Sequence, residues 1–149
     1  MSKAVFDQTT FDASVFDVIV VNIGNIPGVY NFGMLIAGAV SATGLDYFEI
    51  TNNSAFAIDI YIRGTDMTGG NGWLLANDGV AGSDIVAVKA GLDGGSYNII
   101  VKKDEPYNVL MEALAPFNSV LWGLQVSAPT EFSDGVEKTG TVTVIGTAS

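Results

Sequence analysis

The chain has no cysteine and no histidine in 149 residues. The first absence removes disulfides and thiolate nucleophiles, and the second removes the imidazole base. Together they remove nearly every transition-metal site. Basic side chains are scarce as well: six Lys and Arg face sixteen Asp and Glu, for a formal net charge of −10. The one basic pair, Lys102-Lys103, is followed at once by Asp104-Glu105. Phosphate binding needs clustered Lys and Arg, so nucleic acid is not an expected partner. No apolar run reaches the ~18 residues that a membrane span requires. The start, MSKAVFDQTTFD, is acidic and polar and lacks a signal peptide's hydrophobic region. The expectation is a soluble protein made in the cytoplasm, unless the sequence begins at a mature terminus.

Catalytic patterns are missing too. A serine nucleophile here would need lysine as its base, and no S-x-x-K occurs. Neither G-x-x-x-x-G-K-[ST] nor G-x-G-x-x-G is present, so phosphate cradles are absent. Asp46 with Glu49, and Asp104 with Glu105, are acid pairs of the kind glycoside hydrolysis uses, but neither is flanked by sugar-stacking aromatics. The expectation is a protein that is not an enzyme.

Charged residues are also few, at 15% of the chain against 48% hydrophobic. Such a chain either covers a large core with Ser, Thr, Asn and Gly, or buries part of its surface against neighbours. Obligate interfaces resemble a domain core cut in half, and the second reading is preferred.

What is present is β-pattern. Ala55–Arg63 (AFAIDIYIR) places Phe56, Ile58, Ile60 and Ile62 on one face; Ser119–Ser127 (SVLWGLQVS) does the same with Val120, Trp122, Leu124 and Val126. TVTVIG turns Val142 and Val144 inward. Val15–Val21, Leu45–Thr51, Asp84–Ala90 and Tyr97–Lys103 are further β-rich runs. Glycine-rich clusters such as NIGNIPG, GTDMTGGNG and GLDGG separate them. Pro106–Pro116 (PYNVLMEALAP) is open to a short helix, a turn or a strand. The pattern predicts an all-β fold: a single antiparallel β-sandwich over residues 15–149, immunoglobulin-like or jelly-roll, with about seven to nine strands. Phe56, Ile58, Ile60, Trp122, Leu124 and Val142 are expected to share its core.

Phe32-Gly33 with Gly38, Thr51-Asn52-Asn53, Leu114-Ala115-Pro116 and Gly140–Val144 occur in an order that resembles immunoglobulin-like sandwich domains of surface and structural proteins. A weaker similarity, in strand order and glycine richness, is to TasA-like fibre subunits. Phe117 stands where the family's turn carries glycine, which implies a rebuilt turn. The resemblance implies a fold far more than a function.

Three sets of residues invite a functional reading. Asp78 and Asp84, with Asn77, Ser83 and Asp93, supply oxygens for a structural Ca²⁺, although Asp-Gly pairs are also ordinary hairpin chemistry. No other cofactor is expected. Trp73, in TDMTGGNGWLLA, is either an aromatic anchor on a loop or a lid folded onto the sandwich edge. Asn52-Asn53-Ser54 is an N-glycosylation sequon, meaningful only after export. The start raises a different question. Phe6, Phe11 and Phe16 are spaced by five, which puts them on no common face of a strand or a helix. Residues 1–14 are therefore expected to form an extended arm whose Phe6 and Phe11 dock on another surface, of the same chain or a neighbouring subunit, while Phe16 begins the first core strand.

The functional expectation is a structural subunit of a large assembly, most concretely a virion surface protein of the capsid-decoration type. Its partners would be copies of itself or other structural subunits. The alternative is an extracellular fibre or cell-surface module, and a second alternative is a glycan- or ligand-binding module using the Trp73 loop.

Overall fold

Side-chain alternation decides which strands carry the core. The computed structural model describes residues 21–149. The arm, with Phe6 and Phe11, and the expected strand start at Phe16 lie outside the described residues. Ten strands follow in chain order: β1 Ile23–Ile26, β2 Val40–Ala42, β3 Phe48–Asn52, β4 Ile58–Gly64, β5 Leu74–Leu75, β6 Ile85–Leu92, β7 Ile99–Ile100, β8 Asn108–Leu114, β9 Ser119–Ser127 and β10 Val142–Ala148. That is more than the sequence pattern predicts, because short strands hide inside turn clusters. β1 lies in NIGNIPG and β5 follows the glycines of GTDMTGGNG. The Pro106–Pro116 segment holds the strand β8.

β9 is the centre of the larger sheet. β6 pairs along one side of it, from Ala87↔Ser127 to Leu92↔Trp122. β3 and β2 share the other side end to end, through Phe48↔Trp122 and Val40↔Ser127. Between them the chain crosses β9 closely: a Cβ on Gly123 would lie 1.8 Å from the Gly44 carbonyl oxygen, so only glycine fits there. β1 extends the sheet beyond β3, and β7 and β5 flank β6. The smaller sheet has the order β10-β4-β8. The strands are antiparallel except for β5, which runs parallel to β6 over two residues, a departure from the purely antiparallel expectation.

The inner faces meet in one core. Ile58, Ile60 and Ile62 of β4 are fully buried against Ile50 of β3, Val86 and Val88 of β6, and Trp122, Leu124 and Val126 of β9. Phe56 and Val142 join from its margin, half-buried. Trp122 stacks on Phe48 with ring centroids 4.8 Å apart and donates its indole N–H to Asn25 Oδ1 at 3.0 Å. Each fully buried aliphatic side chain of this size contributes roughly 1.5–3 kcal/mol. The described residues contain no helix, and therefore none long and apolar enough to cross a membrane.

In the β8–β9 turn Phe117 stands at a position with left-handed backbone. The residue itself adopts φ +59° and points its ring outward, mostly exposed. A side chain in this left-handed conformation costs about 1–2 kcal/mol.

Candidate interaction surface

The glycine-rich loop between β4 and β5 folds back onto the sandwich. Met67 and Trp73 exchange backbone hydrogen bonds of 2.8 and 3.0 Å, and Thr68 exchanges two more, both 2.9 Å, with Thr139. Trp73 is only 8% exposed and packs its ring on Phe132 at 5.3 Å. Lys138 lies over the same ring, its Nζ 5.5 Å from the centroid, and its side chain is only 5% exposed. The ammonium is held there by Asp134 and by the Val136 carbonyl at 3.0 Å. Asp134 also accepts the Asn71 backbone N–H at 2.7 Å. The Asn71 N–H first, then Lys138, holds the Asp134 carboxyl down at about 2. Trp73 is therefore a lid residue; its ring is not free to anchor a partner. The sequence left that choice open because the residues that close the corner lie some sixty positions away.

Asp78 and Asp84 belong to no cluster of three or more acidic side chains among the described residues. Asp78 is exposed, and its Oδ1 accepts the Val80 backbone N–H at 3.0 Å, an ordinary Asx turn. Asp84 has φ +54°, and its backbone binds Leu74 and Glu131 at 2.9 and 2.8 Å. Its Oδ1 is buried without a partner, as is Trp73 Nε1. Among the described residues no three His, Cys, Asp or Glu side chains come together. The carboxylate that is tied down nearby is Asp66, whose Oδ1 takes Lys103 Nζ at 2.8 Å and Leu75 N–H at 2.7 Å. Partial burial opposes its ionisation, but Lys103 and the Leu75 N–H outweigh it and lower its pKa.

The sequon is a structural hub. Asn52 is fully buried, and its Nδ2 donates to the carbonyls of Phe56, Leu114 and Ala115 at 2.8, 2.9 and 3.2 Å. Its Oδ1 accepts Ser54 N–H at 2.8 Å, while Ser54 Oγ accepts Asn22 N–H at 2.8 Å. An amide committed in this way is not a glycosylation acceptor in the folded protein. One side chain thus ties the end of β3 to the β8–β9 turn and, through Ser54, to the entry of β1.

The open surface lies elsewhere. From Val18 to Leu45 the sequence carries no charged residue. Within that stretch Tyr30, Phe32 and Leu35 turn inward against the core. Tyr30 makes edge contacts with Phe32 and Tyr47, both at 4.7 Å. Met34 and Val29 point outward, 96% and 79% exposed, and Ile26, Ile36 and Val40 are exposed beside them in the chain. Exposed apolar side chains scattered singly are normal, but five within one uncharged segment make it the candidate interaction surface. A second feature is an open groove of about 450 Å³ on the outer face of the small sheet, lined by Tyr61, Pro106, Tyr107, Ile145 and Thr147, with Glu105 as its one acidic residue.

No family model, no curated protein and no solved structure matches this chain.

Proposed function

We propose that this protein is a non-enzymatic structural subunit of a large assembly, of the type that decorates a virion surface. It meets its neighbours through the N-terminal arm, with Phe6 and Phe11, and through its apolar loops. The observation that carries this reading is the exposed, uncharged segment from Ile26 to Val40, with Val29, Met34 and Ile36 facing solvent in the isolated chain. Covering such side chains contributes roughly 25 cal/mol per Å² of apolar surface, the term that drives association. The low charge of the whole chain supports the same reading. The glycan-binding alternative depended on a free Trp73, and that ring is buried.

Negative-stain microscopy with mass measurement on native material tests the proposal. It requires subunits embedded in a particle or fibre. A small species that binds a specific sugar would overturn it.

A further inference from the structure

The small sheet has two edges, and they are built differently. β8 is a poor template for another strand. Its register against β4 shifts twice, between Ile58 and Ile60 and between Ile60 and Tyr61, and Ala113 sits at φ +51° with its N–H given to Asp59 Oδ1. β10 has none of these devices. It pairs with β4 in unbroken register from Val142↔Gly64 to Ala148↔Ile58, and among the described residues no strand lies on its other side.

Natural edge strands are blunted by charge, proline or bulges. From Thr139 to Ser149 this chain has no charged side chain and no proline, although the molecule carries −10 overall. The strand itself therefore brings no like-charged side chains together when two copies meet along it. The chain entering β1 does not occupy this edge, because a Cβ on Gly146 would meet Val21 and Ile23 together with the core residue Ile58. Val21 and Ile23 lie over the inner face of β10, and among the described residues none pairs along its edge. On the outer face Ile145 and Thr147 line the groove beside Tyr61 and Tyr107, with Glu105 the one acidic residue in its lining.

We propose that the free edge of β10 pairs antiparallel with β10 of a second copy of this chain, joining two three-stranded sheets into one across a two-fold axis. The inference rests on the reading of the chain as a self-assembling subunit, and it names one of that subunit's contacts. An antiparallel pair of identical strands is self-complementary, as a two-fold interface must be. Backbone hydrogen bonds supply the contact, and the two grooves come together beside the axis.

The chain has no cysteine, so an introduced thiol reports one position alone. Ile145 stands at the middle of β10. Full-length Ile145→Cys should form a disulfide-linked pair of chains on oxidation, and Thr143→Cys mixed with Thr147→Cys should do the same. Ser96→Cys, on an exposed turn, should remain single. Ile145→Lys, or Thr147→Lys at an exposed position, should abolish pairing by placing like charges across the axis, with the β-sheet circular dichroism unchanged. The proposal is overturned if Ile145→Cys stays single, or if it links instead to Val18→Cys in a double variant, which would give the edge to the N-terminal segment. A native mass above two subunits without the Ile145 link overturns this pairing and leaves the subunit reading standing. A monomeric native mass removes both.

Discussion

Two loops of this molecule show how misleading flexibility-coding residues are. The Trp73 loop carries Gly69, Gly70 and Gly72 and reads as a mobile tip, yet it is closed by backbone pairs to Thr139, the Asp134–Lys138 ion pair and a tryptophan packed on Phe132. The segment from Ile26 to Val40 carries no charged residue and is rich in aliphatic side chains, yet Val29, Met34 and Ile36 face outward. The difference lies in what each loop finds across the chain. The first meets a complementary segment at residues 131–141. Among the described residues the second packs Tyr30, Phe32 and Leu35 against the core, while Val29, Met34 and Ile36 stay exposed.

That contrast can be broken at several strengths. The largest effect is expected from Trp73→Ala, which should cost about 3–5 kcal/mol, while Met34→Ala should change stability by no more than about 0.5 kcal/mol. Urea unfolding of the two variants side by side checks this; comparable losses would erase the distinction between a lid and an open segment. Next comes Asn52→Ala, which leaves the carbonyls of Phe56, Leu114 and Ala115 without their donor. Buried unsatisfied groups cost about 1–3 kcal/mol each, so a loss of at least about 2 kcal/mol is expected in the same measurement.

Strong acid should weaken the Trp73 corner through Asp134. The Asp134 carboxyl is lowered from 3.8 to about 2. Its contribution to folding is therefore complete above the ordinary value and is lost as pH falls through the lowered one. Tryptophan fluorescence of the wild-type protein should show a step in that window. Asp134→Asn should lack it, and an identical step in the variant would detach the corner from this ion pair. The smallest effect is a gain: Phe117→Gly relieves a positive φ and should stabilise the monomer by about 1 kcal/mol, read as a rise in Tm. A loss would mean that the exposed ring contributes more than its backbone costs.

The sequence disclosed this fold unevenly, for physical reasons. β4, β9 and β10 were legible because strict alternation survives wherever one face is buried; Ile58, Ile60, Trp122 and Leu124 are core as the pattern requires. β1 was hidden because four residues, Ile23–Ile26, cannot show a period among glycine, asparagine and proline. β8 was ambiguous because Asn108–Leu114 is a short apolar run that suits either period. The surface was less legible than the core. Nothing local distinguishes Trp73 from an anchor, since Phe132 and Lys138 come from the far end of the chain. The sequon pattern likewise contains no information about the burial of Asn52. An uncharged stretch such as Val18–Leu45 was readable as low charge, but only the structure separates its inward rings from its outward aliphatics.

The central claim is that the outward side chains of the Ile26–Val40 segment are covered in the native assembly. Sedimentation of full-length wild-type protein beside the double variant Met34→Asp/Ile36→Asp tests it most directly. The account predicts wild-type species that are large multiples of the 15.5 kDa chain, and a folded double variant that loses every species larger than a pair. A wild-type protein that sediments as one chain, or a double variant that assembles as the wild type does, would contradict it.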